Sequence, residues 1–264
     1  MTRALKILHW NVNGIRAIIS KTVYNGTLFE NSVLSQSPDI IVLTETKISN
    51  DSRRSHSAVD NLFTTHPHQY HAHSTKKGYS GVSVYSRIPA TKLISIDNVD
   101  GRLVVLEYST FILVATYVPN SGTRLDRLDY RTTIWDREFR STCKRLSRRK
   151  PLIIIGDLNV AHMDLDISHP ERHRGCAGFT DAERGNFDSL LRSCDLLDTW
   201  RMLHESIVGY TYFDYRTKAR QRNAGWRLDY VLISSSLQRH LRTAEILRAW
   251  EGSDHVPITC TVDV

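Results

Sequence analysis

The stretch PLIIIGDLNVAH, residues 151–162, contains a sharp boundary between apolar and polar residues. Four aliphatic residues, 152–155, follow a proline, and such a short apolar run is typical of a buried β-strand. The pattern predicts that the strand ends at Gly156, where glycine permits a backbone turn that a side chain would hinder. In a segment that is still extended, Asp157 and Asn159 would project to the same side, because side chains alternate along a strand.

A carboxylate beside an amide at the end of a strand can activate and orient a water molecule, which suggests a hydrolytic site. Asp and Asn also favour turns for a local reason, since their side chains hydrogen-bond the neighbouring backbone. The stretch alone therefore leaves two interpretations open, a catalytic pair and an ordinary turn.

The composition is that of an ordinary globular protein. Of the 264 residues 41% are apolar and 24% are charged, and no apolar run is long enough to span a bilayer, so we expect no membrane association. Because a strand-like pattern begins within the first residues, we expect no signal peptide. Lys and Arg outnumber Asp and Glu by 35 to 28, a net charge of +7, which favours a polyanionic partner such as nucleic acid.

Cysteine and histidine usage gives no zinc signal. The four cysteines are far apart and form no CxxC pair, which argues against a zinc ribbon and favours a reducing, intracellular compartment. The histidine-rich stretch HPHQYHAH, residues 66–73, contains no carboxylate or cysteine and is interpreted as a surface loop.

Apolar runs typical of strands alternate with helical patterns along the whole chain. Residues 131–146 and 181–197 have apolar residues at helical spacing. No repeat and no linker rich in Pro or Gly marks a boundary, so the sequence predicts a single domain, 1–264, of the α/β or α+β class. The predicted strands are LKILHW, DIIVLTE, GVSVY, RLVVLEY, FILVATYV, LIIIG, DYVLIS and PITCTV.

Polar residues lie at one end of most of these strands. They follow the apolar run in LKILHWNVNG, DIIVLTETK, FILVATYVPN and LIIIGDLN, but they precede it in WRLDYVLIS and GSDHVPITCTV. If all of these groups meet at one site, the last two strands must run opposite to the others. The sequence therefore predicts sheets with antiparallel pairing and not a doubly wound parallel sheet.

The candidate residues at these strand ends are carboxylates, amides, one tyrosine and one histidine, and each alone also fits a turn, an exposed charge or a core aromatic. Together they suit metal-assisted hydrolysis of a phosphodiester, because Mg²⁺ prefers oxygen ligands and leaves part of its shell to water and phosphate. Mn²⁺ is a possible substitute. The set comprises Asn11, Asn13, Glu45, Tyr117, Asn120, Asp157, Asn159, Asp229, Asp254 and His255.

The residue types suggest a division of roles within this set. Glu45, with Asn13 and Asp254 nearby, could bind the metal. His255 could neutralise phosphate charge if a neighbouring carboxylate such as Asp229 keeps it protonated, and Asp157 could then accept a proton from the attacking water.

Eight motifs carry a resemblance to a known family. They occur in the order seen in apurinic/apyrimidinic (AP) endonucleases of the exonuclease III family, within the endonuclease/exonuclease/phosphatase superfamily, and they extend over residues 5–262. The motifs are LHWNVNGIRA, PDIIVLTETK, YSGVSVYSR, ATYVPNSG, KPLIIIGDLNVAH, AGFTDAER, GWRLDYVLIS and GSDHVPIT.

The resemblance implies one catalytic domain with a four-layered α/β sandwich, two packed mixed or antiparallel sheets flanked by helices, and the site at one edge. It implies that Asn11 holds Asp157, that Tyr117 contacts the scissile phosphate, and that Asp229 orients His255 toward that phosphate. Asp157 and Asn159 would handle the water, Glu45 would bind the metal, and Asp254 would lie beside the metal and the leaving group.

The resemblance also implies contacts to double-stranded DNA. An apolar pocket would admit an abasic sugar and exclude a normal nucleotide, while basic residues of the 214–224 loop would contact phosphates. The pocket residues are Tyr212, Phe213, Trp226 and Leu228, with Asn120, His173 and Cys176 nearby, and the basic residues are Arg216, Lys218, Arg220 and Arg222. A merely solvated basic loop is the alternative for the last four.

Some positions depart from the family pattern. Asn13 stands where animal-type members carry Asp, which removes one charge from the metal site, and Thr123 stands where some relatives place an Arg against the DNA. His173 and Cys176 stand where relatives carry small polar residues, so they could tighten or obstruct the abasic pocket.

The expected activity is Mg²⁺-dependent hydrolysis of DNA 5' to an abasic site, leaving a 3'-hydroxyl, with 3'-phosphatase, 3'-phosphodiesterase and 3'-to-5' exonuclease activity. The substrate would be DNA with abasic sites or blocked 3' ends, bound by a monomer. Alternatives are a 3'-end-processing enzyme with weak AP endonuclease activity, another superfamily enzyme such as a nicking endonuclease or lipid phosphatase, and a DNA-binding relative without catalysis.

Overall fold

The computed structural model describes residues 3–49, 59–60, 62–96 and 100–264. The strands of this part of the chain are β1 (Ala4–Asn11), β2 (Thr22–Tyr24), β3 (Thr27–Leu28), β4 (Ile40–Thr44), β5 (His68–Ala72), β6 (Val82–Ser86), β7 (Lys92–Ile94), β8 (Leu103–Glu107), β9 (Ile112–Tyr117), β10 (Leu152–Asp157), β11 (Leu196–Asp198), β12 (Asp229–Ser234), β13 (Leu241–Ile246) and β14 (Ile258–Asp263).

The helices flank these strands, and in the described residues none is long and apolar enough to cross a membrane. Short 3₁₀ helices lie at Asp164–Asp166, Ala219–Arg222 and Ser235–His240, and a π-helix at Tyr130–Trp135 precedes α3. The α-helices are α1 (Ile15–Ile18), α2 (Phe29–Ser35), α3 (Asp136–Ser147), α4 (Pro170–His173), α5 (Asp181–Cys194) and α6 (Thr199–Leu203).

Two six-stranded sheets form the centre of the described structure. The first has the strand order β13-β14-β1-β4-β6-β5 and the second β11-β12-β10-β9-β8-β7. β1 runs parallel to β4 and β10 runs parallel to β9, whereas β14 is antiparallel to β1 and β12 is antiparallel to β10. The predicted reversal of the last two polar-ended strands is therefore confirmed.

The predicted α/β sandwich of two mixed sheets flanked by helices is also confirmed. Inward-facing aliphatic residues such as Ile7 of β1 and Ile155 of β10 form a core between the sheets. Phe139 of α3 and Phe187 of α5 pack on the outer face of the second sheet. Phe29 of α2 belongs to the cluster on the outer face of the first sheet. The core therefore has three apolar layers that alternate with the two sheets.

The inward faces of the central strands change from apolar to polar at one edge. On β1 the residues of the inter-sheet core are Leu5 and Ile7, and alternation places His9 and Asn11 on the same face. Ile155 on β10 is likewise followed on its face by Asp157. The two sheets therefore bring buried polar groups together where their shared core ends.

Three local predictions were wrong. Gly156 lies within β10 and does not end it; a Cβ there would be 1.8 Å from the carbonyl oxygen of Thr116, so the close approach of β9 requires glycine. The second predicted helix ends at Cys194, because Asp195 is left-handed at φ 52° and β11 follows. The histidine-rich stretch contains strand β5, and His66 before it is fully buried.

Candidate active site

Two buried carboxylates form the centre of the polar edge. Asp157 is the last residue of β10 and Asp229 the first of β12, and the antiparallel register pairs them directly. Their exposed fractions are 1% and 2%. A buried carboxylate is stable only when it accepts hydrogen bonds or meets positive charge, so their partners determine what they can do.

Asp229 lies between two histidines. Its Oδ2 is 2.7 Å from Nδ1 of His255, and its Oδ1 is 2.8 Å from Nε2 of His9. Burial raises the pKa of the Asp229 carboxyl, but the charge of His255 and the hydrogen bonds from both histidines outweigh burial and hold this pKa below its usual range. Asp229 therefore stays ionised.

His255 is the cationic partner of this carboxylate. Burial lowers the pKa of the imidazole, but the carboxylates of Asp229, Asp157 and Asp254 reverse that effect and raise it to about 10. Nε2 of His255 points away from Asp229 and lies 3.9 Å from Oδ2 of Asp157. That separation exceeds a hydrogen bond, so this N–H can still donate to a further group.

Asp157 has the opposite electrostatic character. Oδ2 accepts a hydrogen bond from Nδ2 of Asn11 at 2.9 Å, and Oδ1 accepts one from the backbone N–H of Asn159 at 2.9 Å. Burial is the largest influence and, with the nearby charge of Asp229, raises the pKa of Asp157 to about 7 against the opposing effect of His255. A carboxylate of that pKa can accept a proton near neutral pH.

Asn159 reaches Asp157 by a different route from the one that alternation predicts. Its backbone is left-handed at φ 49°, so the chain turns after β10 and does not remain extended. Nδ2 of Asn159 donates to the carbonyl oxygen of Val118 at 2.9 Å, and its Oδ1 accepts from Nδ2 of Asn120 at 3.0 Å. The turn after β10 is therefore what brings Asn159 beside Asp157.

Glu45, Asn13 and Asp254 form a second oxygen-rich group beside these carboxylates. Nδ2 of Asn13 donates to Oδ1 of Asp254 at 3.0 Å, while Oε1 of Glu45 accepts from Nδ2 of Asn11 at 3.1 Å. The ammonium of Lys47 hydrogen-bonds Oδ1 of Asn13 and lies 3.2 Å from Oε2 of Glu45. A set of oxygen donors that holds a cationic group is chemically suited to a hard divalent metal.

Tyr117, at the end of β9, connects this group to the second sheet. Its hydroxyl hydrogen-bonds Glu45, and burial raises the pKa of the phenol well above its usual range, so the hydroxyl remains a donor. The guanidinium of Arg102 lies 4.9 Å from the ring centre and donates to the Tyr117 carbonyl oxygen at 3.1 Å. These contacts fix the ring at the site edge.

In the described residues, Asp157, Asp229 and His255 also bring potential metal-ligand atoms within 4.8 Å of one another. Both oxygens of Asp229 and Nδ1 of His255 are already engaged in the hydrogen bonds given above. In this arrangement the trio therefore offers a metal few free ligand atoms.

An apolar cluster adjoins the carboxylates. Tyr212 and Trp226 pack on the buried residues Ile167, Phe179 and Leu228, and the Tyr212 ring lies 5.0 Å from that of His255. The predicted pocket residues Tyr212, Trp226 and Leu228 are thus brought together. Phe213 is not, because neighbouring residues point to opposite sides, and it is buried in a separate cluster with Tyr210 and Val256.

His173 lies against the Trp226 ring of this cluster. Its ring centre is 5.1 Å from that of Trp226, and burial lowers the pKa of its imidazole. Cys176 is exposed, and its N–H donates to the carbonyl oxygen of His173 at 2.9 Å. His173 therefore covers one side of Trp226, and Cys176 lies in the same turn.

The basic loop divides into exposed and inward-facing residues. Arg216, Lys218 and Arg222 are exposed. Arg220 instead donates to the carbonyl oxygens of Trp250 and Ser253, at 2.5 and 3.4 Å, with its guanidinium 5.4 Å from the Phe213 ring centre. Three of the four predicted DNA contacts are therefore exposed, although Arg222 donates to the carbonyl oxygen of Thr217 and Arg216 lies 3.5 Å from Asp214. Arg220 instead supports the loop that carries Asp254.

Comparison with known proteins shows the family. The sequence model described as the endonuclease/exonuclease/phosphatase family matches residues 8–255. The chain belongs to this family. It is 40% identical to DNA repair nuclease APEX1 of Danio rerio over 97% of this chain and 81% of that protein. It is 35% identical to an exodeoxyribonuclease of Bacillus subtilis (strain 168) over 98% of this chain and 100% of that protein.

A solved structure agrees with this assignment. The AP endonuclease LMAP from Leishmania major superposes with a TM-score of 0.85 at 27% identity, covering 99% of this chain and 88% of that chain. The resemblance inferred from the motifs is therefore confirmed at the level of family and fold.

Two polar residues that contact these groups, His9 and Lys47, were not among the predicted site residues. His9 was assigned to a strand, although the inward alternation Leu5, Ile7, His9 could have indicated a buried polar contact. Lys47 follows Glu45 by two residues, and its role depends on left-handed backbone at both positions, with φ 50° at Glu45 and 56° at Lys47. No sequence pattern signals that geometry.

Proposed function

We propose that this protein is a metal-dependent DNA repair nuclease that hydrolyses the phosphodiester 5' to an abasic site and leaves a 3'-hydroxyl. Residues 1–264 act as one catalytic domain. Activity on 3'-phosphates, 3'-phosphodiesters and, more slowly, 3' termini of normal DNA uses the same site. The enzyme works as a monomer inside the cell, where its DNA substrate is.

The observation that carries this proposal is the opposition of Asp157 and His255. The two side chains face each other at 3.9 Å, one a carboxylate with a pKa of about 7 and the other an imidazolium with a pKa of about 10. Asp157 accepts a proton from water, and His255 donates a hydrogen bond to a phosphate oxygen. This division of acid and base suits hydrolysis of a phosphodiester at neutral pH.

The other site residues position these two groups. Asn11 fixes the Asp157 carboxylate, and Asn159, itself held by Val118 and Asn120, keeps the base aligned with water. The Tyr117 hydroxyl donates to a phosphate oxygen of the substrate. Glu45, Asn13 and Asp254 hold Mg²⁺, for which Mn²⁺ substitutes; the ion, when bound, neutralises negative charge on the phosphate.

The DNA-binding part of the proposal rests on the apolar cluster and the exposed cations. Tyr212, Trp226 and Leu228 receive the abasic sugar, and this apolar surface excludes a nucleotide that carries a base. Arg216, Lys218 and Arg222 are exposed on the loop that follows Phe213 and contact the DNA phosphates.

The decisive experiment is single-turnover cleavage of an end-labelled duplex with one tetrahydrofuran abasic analogue, in Mg²⁺ and in EDTA. Incision 5' to the analogue that requires Mg²⁺ is the expected result, and it excludes a lyase because the analogue cannot undergo β-elimination. The Asp157→Asn variant should lose this activity. Retention of incision in EDTA or in Asp157→Asn would overturn the proposal.

One observation favours a second candidate, a 3'-end-processing enzyme with weak AP endonuclease activity. His173 lies against Trp226, where it would narrow the space for an internal abasic sugar. A duplex ending in a 3'-phosphate, assayed in parallel, discriminates between the two. Removal of the phosphate without internal incision, together with restored incision in His173→Asn, would establish the second candidate.

A further inference from the structure

The inward face of β1 supplies one hydrogen bond to each of the two central carboxylates. His9 and Asn11 are two residues apart and so lie on the same face of the strand. Nδ2 of Asn11 donates to Asp157 at 2.9 Å, and Nε2 of His9 lies 2.8 Å from Oδ1 of Asp229. Asp157 and Asp229 are register partners. Each of them therefore has its own hydrogen-bond partner on β1, Asn11 for Asp157 and His9 for Asp229.

The geometry determines which nitrogen of His9 carries the proton. An ionised carboxylate oxygen only accepts hydrogen bonds, so Nε2 of His9 must be the donor. Among the described residues, Nδ1 of His9 has no hydrogen-bond partner, and the side chain is fully buried. The contact with Asp229 is therefore the one side-chain hydrogen bond that His9 makes among the described residues, with its Nε2–H directed at Oδ1.

We propose that His9 is a positioning residue that fixes the Asp229 carboxylate and thereby aims His255 at the substrate phosphate. This inference rests on the proposed function and extends it by one residue. With Oδ1 held by His9 and Oδ2 held by Nδ1 of His255, the carboxylate cannot rotate about its bond to Cβ. The direction of the His255 ring, and therefore of its free Nε2–H, is set by Asp229 of β12, whose carboxylate is held in turn by β1 of the other sheet.

β1 also holds the backbone of the same histidine. Nε1 of Trp10 donates to the carbonyl oxygen of His255 at 3.0 Å. Adjacent residues of one strand thus constrain His255 twice, His9 through Asp229 and Trp10 directly. A side chain that acts through another in this way commonly changes activity by about 10- to 100-fold when it is removed.

A buried histidine that only stabilises the fold should hydrogen-bond a group outside the active site, and His66 is such a residue. His66 is also fully buried, but it bonds the backbone carbonyl oxygen of Pro38 at 3.0 Å, which stabilises a loop and touches none of the site residues described above. His66 therefore provides a matched control for the loss of a buried histidine. Ile7, two residues before His9 on the inward face of β1, shows that this face also accepts an aliphatic side chain.

The test compares His9→Leu and His9→Gln with His66→Leu and His66→Gln. Single-turnover rates at saturating abasic DNA, DNA affinity in EDTA and thermal unfolding are measured for each. His9→Leu should lower the rate by about 10- to 100-fold with unchanged DNA affinity, and His9→Gln, which keeps a donor, should recover most of the rate. The His66 variants should lower thermal stability without a comparable loss of rate.

Two further measurements separate positioning from general destabilisation. In an Asp229→Asn background His9→Leu should have little further effect, because His9 acts through Asp229. In proton NMR of the metal-free protein, the downfield resonance of the His255 Nδ1–H should shift in His9→Leu and stay in place in His66→Leu. This spectrum does not require cleavage, so it tests the contact even if the proposed nuclease activity fails.

An unchanged rate in a folded His9→Leu protein would overturn the proposal. So would equal loss of rate in His66→Leu, or additive losses in the double variant with Asp229→Asn. Failure of His9→Gln to recover activity while it restores thermal stability would also count against a role in positioning Asp229.

Discussion

Asp157 and Asp229 face each other as register partners of β10 and β12, yet the protein shifts the pKa values of these two carboxyls in opposite directions. Burial raises the pKa of both groups. For Asp229 the two histidines outweigh this effect of burial and lower the pKa. For Asp157 the nearby charge of Asp229 raises the pKa further. The pair therefore divides into a permanent anion and a carboxylate that titrates near neutrality.

This division predicts a bell-shaped pH dependence of kcat/KM. Asp157 must be ionised to act as a base, so the rate should fall about tenfold per pH unit below its pKa of about 7. His255 must be protonated to donate to phosphate, so the rate should fall again as the pH rises through about 10. Steady-state rates on the abasic duplex measure both limbs, and a rate independent of pH between about 6 and 8 would contradict the role of Asp157.

Removing either reactive group should separate chemistry from binding. Asp157→Asn keeps an acceptor for Asn11 but has no basic oxygen, and His255→Ala removes the donor to phosphate. Each should lower the single-turnover rate by about 10²- to 10⁴-fold, with duplex affinity in EDTA largely unchanged. Asp188→Asn is a suitable control, since Asp188 is 45% exposed and pairs with His162 away from these groups. Loss of folding in both site variants would defeat the assignment.

The strands and the polar edge could be predicted from sequence because both depend on short-range patterns. Apolar runs such as Leu152 to Ile155 form strands, and the side on which their polar residues lie gave the strand directions. What sequence does not encode locally is the direction of a side chain in a turn. Asn159 meets Asp157 through left-handed backbone, and Phe213 points away from Trp226 because β12 and the 253–256 segment fix the loop.

Contacts between the two sheets cannot be predicted from local sequence patterns, for the same reason. His9 is separated from Asp229 by 220 residues, and its environment is set only when β1 packs across from β12. Its position on the inward face of β1 was predictable from alternation, but the partner on the opposite sheet was not.

Stability should depend strongly on the buried ion pairs of Arg227, which lies between Trp226 and Leu228 in the chain. The guanidinium of Arg227, 1% exposed, donates to both oxygens of Asp166 at 2.8 and 2.9 Å and lies 2.7 Å from Oδ2 of Asp198. Arg227→Met would leave two buried carboxylates without their main counter-charge, and the free energy of unfolding should fall by about 3–5 kcal/mol. Urea unfolding monitored by Trp fluorescence measures this change.

An exposed pair of the same length supplies the control. Arg174 lies 2.8 Å from Asp164, but the two side chains are 57% and 48% exposed. Arg174→Met should change the free energy of unfolding by less than about 1 kcal/mol, because solvent screens such pairs. Equal effects of the two substitutions would mean that burial does not determine the contribution of Arg227.

Metal affinity should respond in opposite directions to two neighbouring substitutions. Glu45→Gln removes a carboxylate from the oxygen set and should weaken Mg²⁺ binding. Lys47→Met removes an ammonium that hydrogen-bonds Asn13 and lies 3.2 Å from Glu45, so the same ion should bind about tenfold more tightly. Isothermal titration of the DNA-free protein with Mg²⁺ is the appropriate measurement, because Lys47 could also contact a phosphate and confuse an activity assay.

Lys144→Met controls for the change in net charge. Lys144 is exposed near the end of α3, which leads into the start of β10. The site lies at the opposite end of that strand. It should leave Mg²⁺ affinity unchanged. Weaker binding in Lys47→Met would mean that the ammonium organises the oxygen donors and does not compete with the ion. In that case the oxygen donors around Glu45 would bind a metal only when Lys47 is present.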